Sequence, residues 1–96
     1  MRNEVGDIMR RLDIAKEALT FLRDLQAKQY RQVEQKVFSL LADPEPHDSK
    51  KLVGYDFLRV DVGEYRIVYE FDSKTVFILL IGKRNDDEVY RKLTRR

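Results

Sequence analysis

Residues 55–90 constrain the fold more than any other part of the chain, because three strand-like runs follow one another there with a turn signal between each pair. In the first run Leu58, Val60 and Val62 alternate with Phe57, Arg59 and Asp61, the period of a strand with one buried face. The second, Tyr65 to Phe71, is rich in aromatic and β-branched residues. The third, Val76 to Ile81, is apolar on both faces and suits a central, buried strand.

The first turn sets the pairing of charges. With Val62-Gly63 as a two-residue turn, Gly63 supplies the positive φ that tight hairpins need. Asp61 then faces Glu64, and Arg59 faces Arg66. Like charges directly opposite each other destabilise a sheet. Near an exposed turn the acidic pair costs little. The two arginines either hold an anion between them, since guanidinium grips phosphate bidentately, or splay into water and onto carboxylates. The residues alone leave both readings open.

Upstream, Ile8 to Ile14 reads as a short edge strand with Leu12 and Ile14 on one face. Ala15, Ala18, Leu19, Leu22 and Leu25 then mark an amphipathic helix over 15–26, with Asp13 as its N-cap. A second helix, about 28–41, carries Tyr30, Val33, Val37, Leu40 and Leu41 on one stripe. Few residues separate the two, so they form an antiparallel hairpin. Asp43-Pro44-Glu45-Pro46 stops the second helix. Residues 47–54 read as a polar connection containing Lys50 and Lys51. After the third strand Gly82 breaks the sheet, and Asn85 with Glu88 resembles a capping box opening a last short helix through Leu93.

The expected order is β-α-α-β-β-β-α. It describes an α+β domain in which a helical hairpin packs on one face of a small, mostly antiparallel sheet, leaving the other face available. Residues 1–8 read as a flexible N-terminal extension, and 9–96 as a single domain.

Composition removes several chemistries. The chain holds no cysteine and one histidine, His47, in the proline-rich loop. Thiol nucleophiles and thiolate zinc sites therefore have no residues to build them, and His47 reads as a solvated loop histidine, a poor general base or member of a triad. No metal and no cofactor is expected, since the glycines at 6, 54, 63 and 82 form no phosphate-binding fingerprint. No apolar run approaches a membrane span and no signal peptide is apparent, so a cytoplasmic protein without membrane contact is expected. The clustered acids Asp86, Asp87 and Glu88 sit where a helix start is stabilised by negative charge.

What remains is basic and aromatic. Lys83 and Arg84 leave the third strand, Arg59 and Arg66 sit on the hairpin, and Tyr90 lies in the last helix. Arginine for phosphate and tyrosine for a base is the vocabulary of nucleic-acid recognition. Singly, Tyr90 reads as an anchor for its helix and Lys83-Arg84 as a solvated turn. Their combination is what points to nucleic acid.

In this order and spacing the residues resemble the RelE/ParE toxin family of toxin–antitoxin systems, on the RelE side. The resemblance covers roughly residues 9–93. It is carried by Lys51-Leu52-x-Gly54, by Arg59-Val-x-x-Gly63-x-Tyr65-Arg66-Ile-Val-Tyr69, and by Ile81-Gly82-Lys83-Arg84 followed by Glu88-Val89-Tyr90. It implies a ribosome-dependent endoribonuclease that cuts mRNA in the ribosomal A site and is neutralised by a cognate antitoxin, whose complex forms higher oligomers and binds operator DNA through the antitoxin. By position it implies catalytic roles for four residues. Arg66 would stabilise the scissile phosphate, Arg84 would assist the leaving group, Tyr90 would stack on or orient the cleaved nucleotide, and Arg59 would add charge on the first hairpin strand. Lys50, Lys51, Lys83 and Arg91 are the expected RNA contacts. One position departs from the RelE pattern: Phe57 stands where a second basic residue can occur.

The chemistry agrees with what the resemblance implies. RNA carries its own nucleophile in the 2′-hydroxyl, so the protein has to align it and stabilise negative charge. Arginine is suited to the second task and is a poor acid or base, with a pKa above about 12. Two alternatives remain beside the nuclease: a DNA gyrase inhibitor of ParE type, and a non-catalytic RNA- or ribosome-binding module.

Overall fold

A computed structural model describes residues 9–86 and 88–94. The expected extension over 1–8 and residues 95–96 lie outside the described residues. The elements are β1 (Arg11–Ile14), α1 (Lys16–Arg23), α2 (Ala27–Ala42), β2 (Lys50–Lys51), β3 (Leu58–Val62), β4 (Tyr65–Phe71), β5 (Thr75–Lys83), a 3-10 turn (Arg84–Asp86) and α3 (Glu88–Thr94). The architecture is the expected α+β one, with one short strand, β2, added inside the segment read as a connection.

Five strands form one sheet in the order β1-β5-β4-β3-β2. β1 pairs with β5 in parallel, and every other pairing is antiparallel. β5 is flanked on both sides, which explains why its residues are apolar on both faces. β1 takes one edge, as its charges suggest, and the two lysines of β2 take the other.

α1 and α2 cover one face. Ala18, Leu22, Val33, Val37 and Leu40 pack there against Val60, Ile67, Tyr69, Val76, Ile78 and Ile81. The buried Tyr69 hydroxyl donates to the Pro44 carbonyl at 2.8 Å and ties the proline turn to the sheet. Asp13 does not cap α1. β1 runs on through Ile14, so the cap position falls to Ala15, which is extended and offers no side-chain acceptor.

The other face is not left open. Leu52, Val68, Leu80 and Val89 form a second buried cluster, with Tyr55, Phe57, Leu79, Tyr90 and Leu93 packed around it. α3 and the segment before β3 cover this part. Gly82 permits the approach of α3 and does not end the sheet, since β5 continues through it to Lys83. A Cβ at Gly82 would lie 3.1 Å from Glu88 Oε1 and 3.2 Å from Val89 Cγ1. Nor does the expected capping box form as drawn. Asn85 belongs to the 3-10 turn, and Glu88 Oε1 accepts instead from the Lys83 amide at 2.7 Å. Lys92 fastens α3 further, donating to the Ile81 carbonyl at 3.1 Å and lying over the Phe21 ring of α1 at 4.6 Å. Among the described residues no helix is long and apolar enough to cross a membrane.

Candidate functional site: an arginine cluster around one carboxylate

The β3–β4 hairpin turns at Gly63-Glu64, not at Val62-Gly63. Val62 pairs with Tyr65, Asp61 with Arg66, and Arg59 with Val68. Gly63 takes a left-handed φ of 59°, as the first position of such a turn requires. The expected Arg59–Arg66 opposition is therefore replaced by an Asp61–Arg66 pair. A like-charge pair does exist on this face, one strand further out, where Lys50 of β2 lies opposite Arg59. Lys51 takes the alternate position opposite Leu58, with its ammonium 3.6 Å from Asp56.

Alternation along β3 and β4 places Arg59, Asp61 and Arg66 on the face away from the helical hairpin. Arg66 Nε donates to Asp61 Oδ1 at 2.8 Å and Nη2 donates to Oδ2 at 3.2 Å, a two-pronged grip. The same carboxylate draws in two more guanidiniums: Arg59 Nη1 lies 4.0 Å and Arg84 Nη1 3.8 Å from Oδ2. Arg84 reaches the hairpin because its amide donates to the Glu64 carbonyl at 3.0 Å, which pins the segment after β5 to the turn. Gly82, paired with Arg66, puts no side chain between the guanidinium and α3.

Among the described residues, three guanidiniums share the one Asp61 carboxylate. The members of this cluster are sheltered to different degrees, from 15% exposure at the Arg66 side chain to 46% at Arg84. Among the described residues the buried Arg59 Nε finds no hydrogen-bond partner. Hydrogen bonding from Arg66, and the charges of Arg66, Arg59 and Arg84, hold the Asp61 carboxyl below its usual range. It is thus an anion at any physiological pH and a weak proton acceptor.

The sequence-derived residues converge in part. Arg59, Arg66 and Arg84 meet at Asp61. Lys50 extends the basic surface along the next strand. Tyr90 packs on the apolar cluster of the same sheet face. Lys83, exposed, lies opposite Tyr65 at the end of β5, and Arg91, also exposed, lies on α3. Phe57 stacks on Tyr55 with ring centroids 6.0 Å apart and planes 7° from parallel, so this position supplies an aromatic surface where a cation can stand in RelE-type sites. Asp61 is the functional candidate that the sequence reading missed. Its signal is an acid on the same strand face as Arg59, and it appears only once the turn is placed correctly.

The arrangement can hold an anion such as a phosphodiester and stabilise charge accumulating on it. It offers no strong general base.

Comparison with known proteins follows the same lines. Residues 12–88 match the family described as "ParE toxin of type II toxin-antitoxin system, parDE". No curated protein matches the chain. Among solved structures, a doubly substituted E. coli RelE toxin in the free state superposes with a TM-score of 0.73 at 29% identity, covering 92% of this chain and 97% of that one. The toxin of the intact E. coli RelBE toxin–antitoxin complex gives 0.67 at 30% identity, over 77% and 95%. The toxin–antitoxin complex RelBE2 from Mycobacterium tuberculosis gives 0.70 at 24%, over 82% and 95%, a likeness of fold.

Proposed function

Because the chain belongs to the RelE/ParE family of type II toxin–antitoxin toxins, we propose that it is a ribosome-dependent endoribonuclease that cuts mRNA in the ribosomal A site. The observation that carries this reading is the convergence of Arg59, Arg66 and Arg84 on one spot of the sheet face, around Asp61. A phosphodiester fits such a cluster, whose guanidiniums already converge before it arrives.

In the reaction the 2′-oxygen bonds to phosphorus, its proton departs, and the 5′-oxygen leaves with a proton of its own. A 2′,3′-cyclic phosphate end results. Arg66 stabilises charge on the non-bridging oxygens, Arg84 acts toward the leaving oxygen, and Arg59 with Lys50 holds the neighbouring backbone. Tyr90 supplies a ring for the adjacent base. Lys51, Lys83 and Arg91 add further RNA contacts. With no strong base among these groups, the ribosome has to supply alignment, and naked RNA is a poor substrate. The E. coli and M. tuberculosis relatives occur in complexes with an antitoxin, and a cognate antitoxin is proposed for this chain too, in the cytoplasm.

The test is cell-free translation followed by primer extension on the message. Cuts at fixed positions within codons, dependent on ribosomes, support the reading, and an intact message overturns it. The match to a ParE family description favours one second reading, inhibition of DNA gyrase. A supercoiling assay on the same preparation separates the two.

A further inference from the structure

Asp61 sits where an RNA phosphate would be expected to sit. Its two oxygens are shared by guanidiniums from three places in the chain, β3, β4 and the segment after β5. A carboxylate there opposes the binding of an anion. A site built only to attract RNA would gain from a neutral residue at this position. Some other benefit has to offset that loss.

Geometry supplies it. Asp61 receives the Arg66 fork on both of its oxygens, at 2.8 and 3.2 Å, and stands within 4.0 Å of Arg59 and Arg84 as well. Without the carboxylate, Arg59, Arg66 and Arg84 face one another as like charges on one face. Long cationic side chains in that situation splay apart, and orientation is lost. We propose that Asp61 is a positioning residue, holding the three guanidiniums convergent in the free protein so that a phosphodiester meets an aligned set. This deepens the nuclease reading and rests on it. Asp61 acts through the arginines, and its depressed proton affinity argues against service as the base.

The proposal predicts a split that a purely structural residue does not give. Asp61→Asn keeps the shape and removes the charge. Ribosome-dependent cleavage by this variant is expected to fall in kcat on the order of 10- to 100-fold, since misplacement of about 1 Å costs up to that much. Its KM is expected to stay level or drop, because a repelling charge is gone. Binding to a single-stranded 2′-deoxy analogue is expected to tighten, with a salt slope steeper by up to about 0.7, one phosphate's worth on a single strand. In NMR spectra the Arg66 Nε–H resonance is expected to be sharp in the wild type, where it donates to Asp61, and to broaden in the variant. Asp61→Glu restores the charge on a longer arm and is expected to recover part of the rate.

An Asp61→Asn protein that loses thermal stability yet cleaves like the wild type per folded molecule overturns the proposal. So does one that cleaves faster, since Asp61 would then be only a competing anion. A wild-type protein that leaves ribosome-bound message uncut overturns the nuclease reading beneath it, and that result is told apart from failure of this inference alone by the wild-type lane.

Discussion

Asp61 and Arg66 face each other across the β3–β4 hairpin, with carboxylate and guanidinium joined at 2.8 and 3.2 Å. The pair joins stability to the proposed chemistry, since the side chain proposed to meet a phosphate also closes the hairpin.

Arg66→Ala is therefore expected to lower both activity and stability. Removing one preorganised donor costs about 100- to 1,000-fold in rate. Losing a charged hydrogen bond at a site only 15% exposed costs about 1.5–3 kcal/mol, on the order of 10 °C in melting temperature. Relief of strain against Arg59, which the first register suggested, does not apply. Thermal melts and ribosome-dependent cleavage on one preparation check both parts, and unchanged cleavage per folded molecule would remove Arg66 from the site.

Lys50→Ala separates binding from folding. Lys50 lies opposite Arg59, so its loss relieves a like-charge contact. Melting temperature is expected to hold or rise slightly, while the salt slope of RNA binding falls by about 0.7. Fluorescence titrations of a labelled oligonucleotide at several salt concentrations measure this. An unchanged slope would take Lys50 off the RNA path.

Gly82→Ala tests the seat of α3. The added methyl meets Glu88 Oε1 at 3.1 Å and Val89 Cγ1 at 3.2 Å. Overpacking of this kind costs about 1–3 kcal/mol. α3 has to shift to make room, carrying Tyr90 with it, so limited proteolysis near the carboxyl terminus is expected to speed up and cleavage activity to fall. Wild-type proteolysis rates would show that α3 adapts freely.

The pH dependence follows from the lowered pKa of Asp61, caused first by the hydrogen bond from Arg66. A carboxyl whose folded pKa lies below its unfolded value of 3.8 stabilises the fold above that value. The contribution is lost as pH falls through the folded pKa. Melting temperature should accordingly drop below about pH 4. Asp72, lowered by the Lys74 and Thr75 amides, acts in the same direction. In Asp61→Asn the drop should be shallower, and melts from pH 2 to 7 compare the two. Equal slopes would mean that the pair carries no acid sensitivity.

The sequence revealed the order of elements because each strand and helix carries its own period. It pointed to Arg59, Arg66, Arg84 and Tyr90 as a candidate set through a family resemblance, and the structure brings the three arginines together at Asp61. It did not reveal the hairpin register, and the reason is physical. Moving the turn from Val62-Gly63 to Gly63-Glu64 slides the pairing by two residues, and a slip of two leaves every side chain on the same face. Leu58, Val60 and Val62 face the helices either way, so hydrophobic alternation is blind to the choice. Charge distinguishes the two, since the observed register sets Asp61 against Arg66. β2 was missed because two lysines at an edge carry no apolar period. Gly82 looked like a breaker because the helix that needs the space is six residues downstream at its start, beyond any local window.

The parallel pairing of β1 with β5 also orders events in time. β5 is the strand on which β1, at one end of the chain, and β4 both close. Until Thr75–Lys83 has been made, the amino-terminal strand has no partner and the helical layer rests on half a sheet. Contacts this distant in sequence form late. Arg84 and Tyr90 are synthesised later still. A growing chain therefore cannot display the assembled arginine cluster before Arg84 has been made.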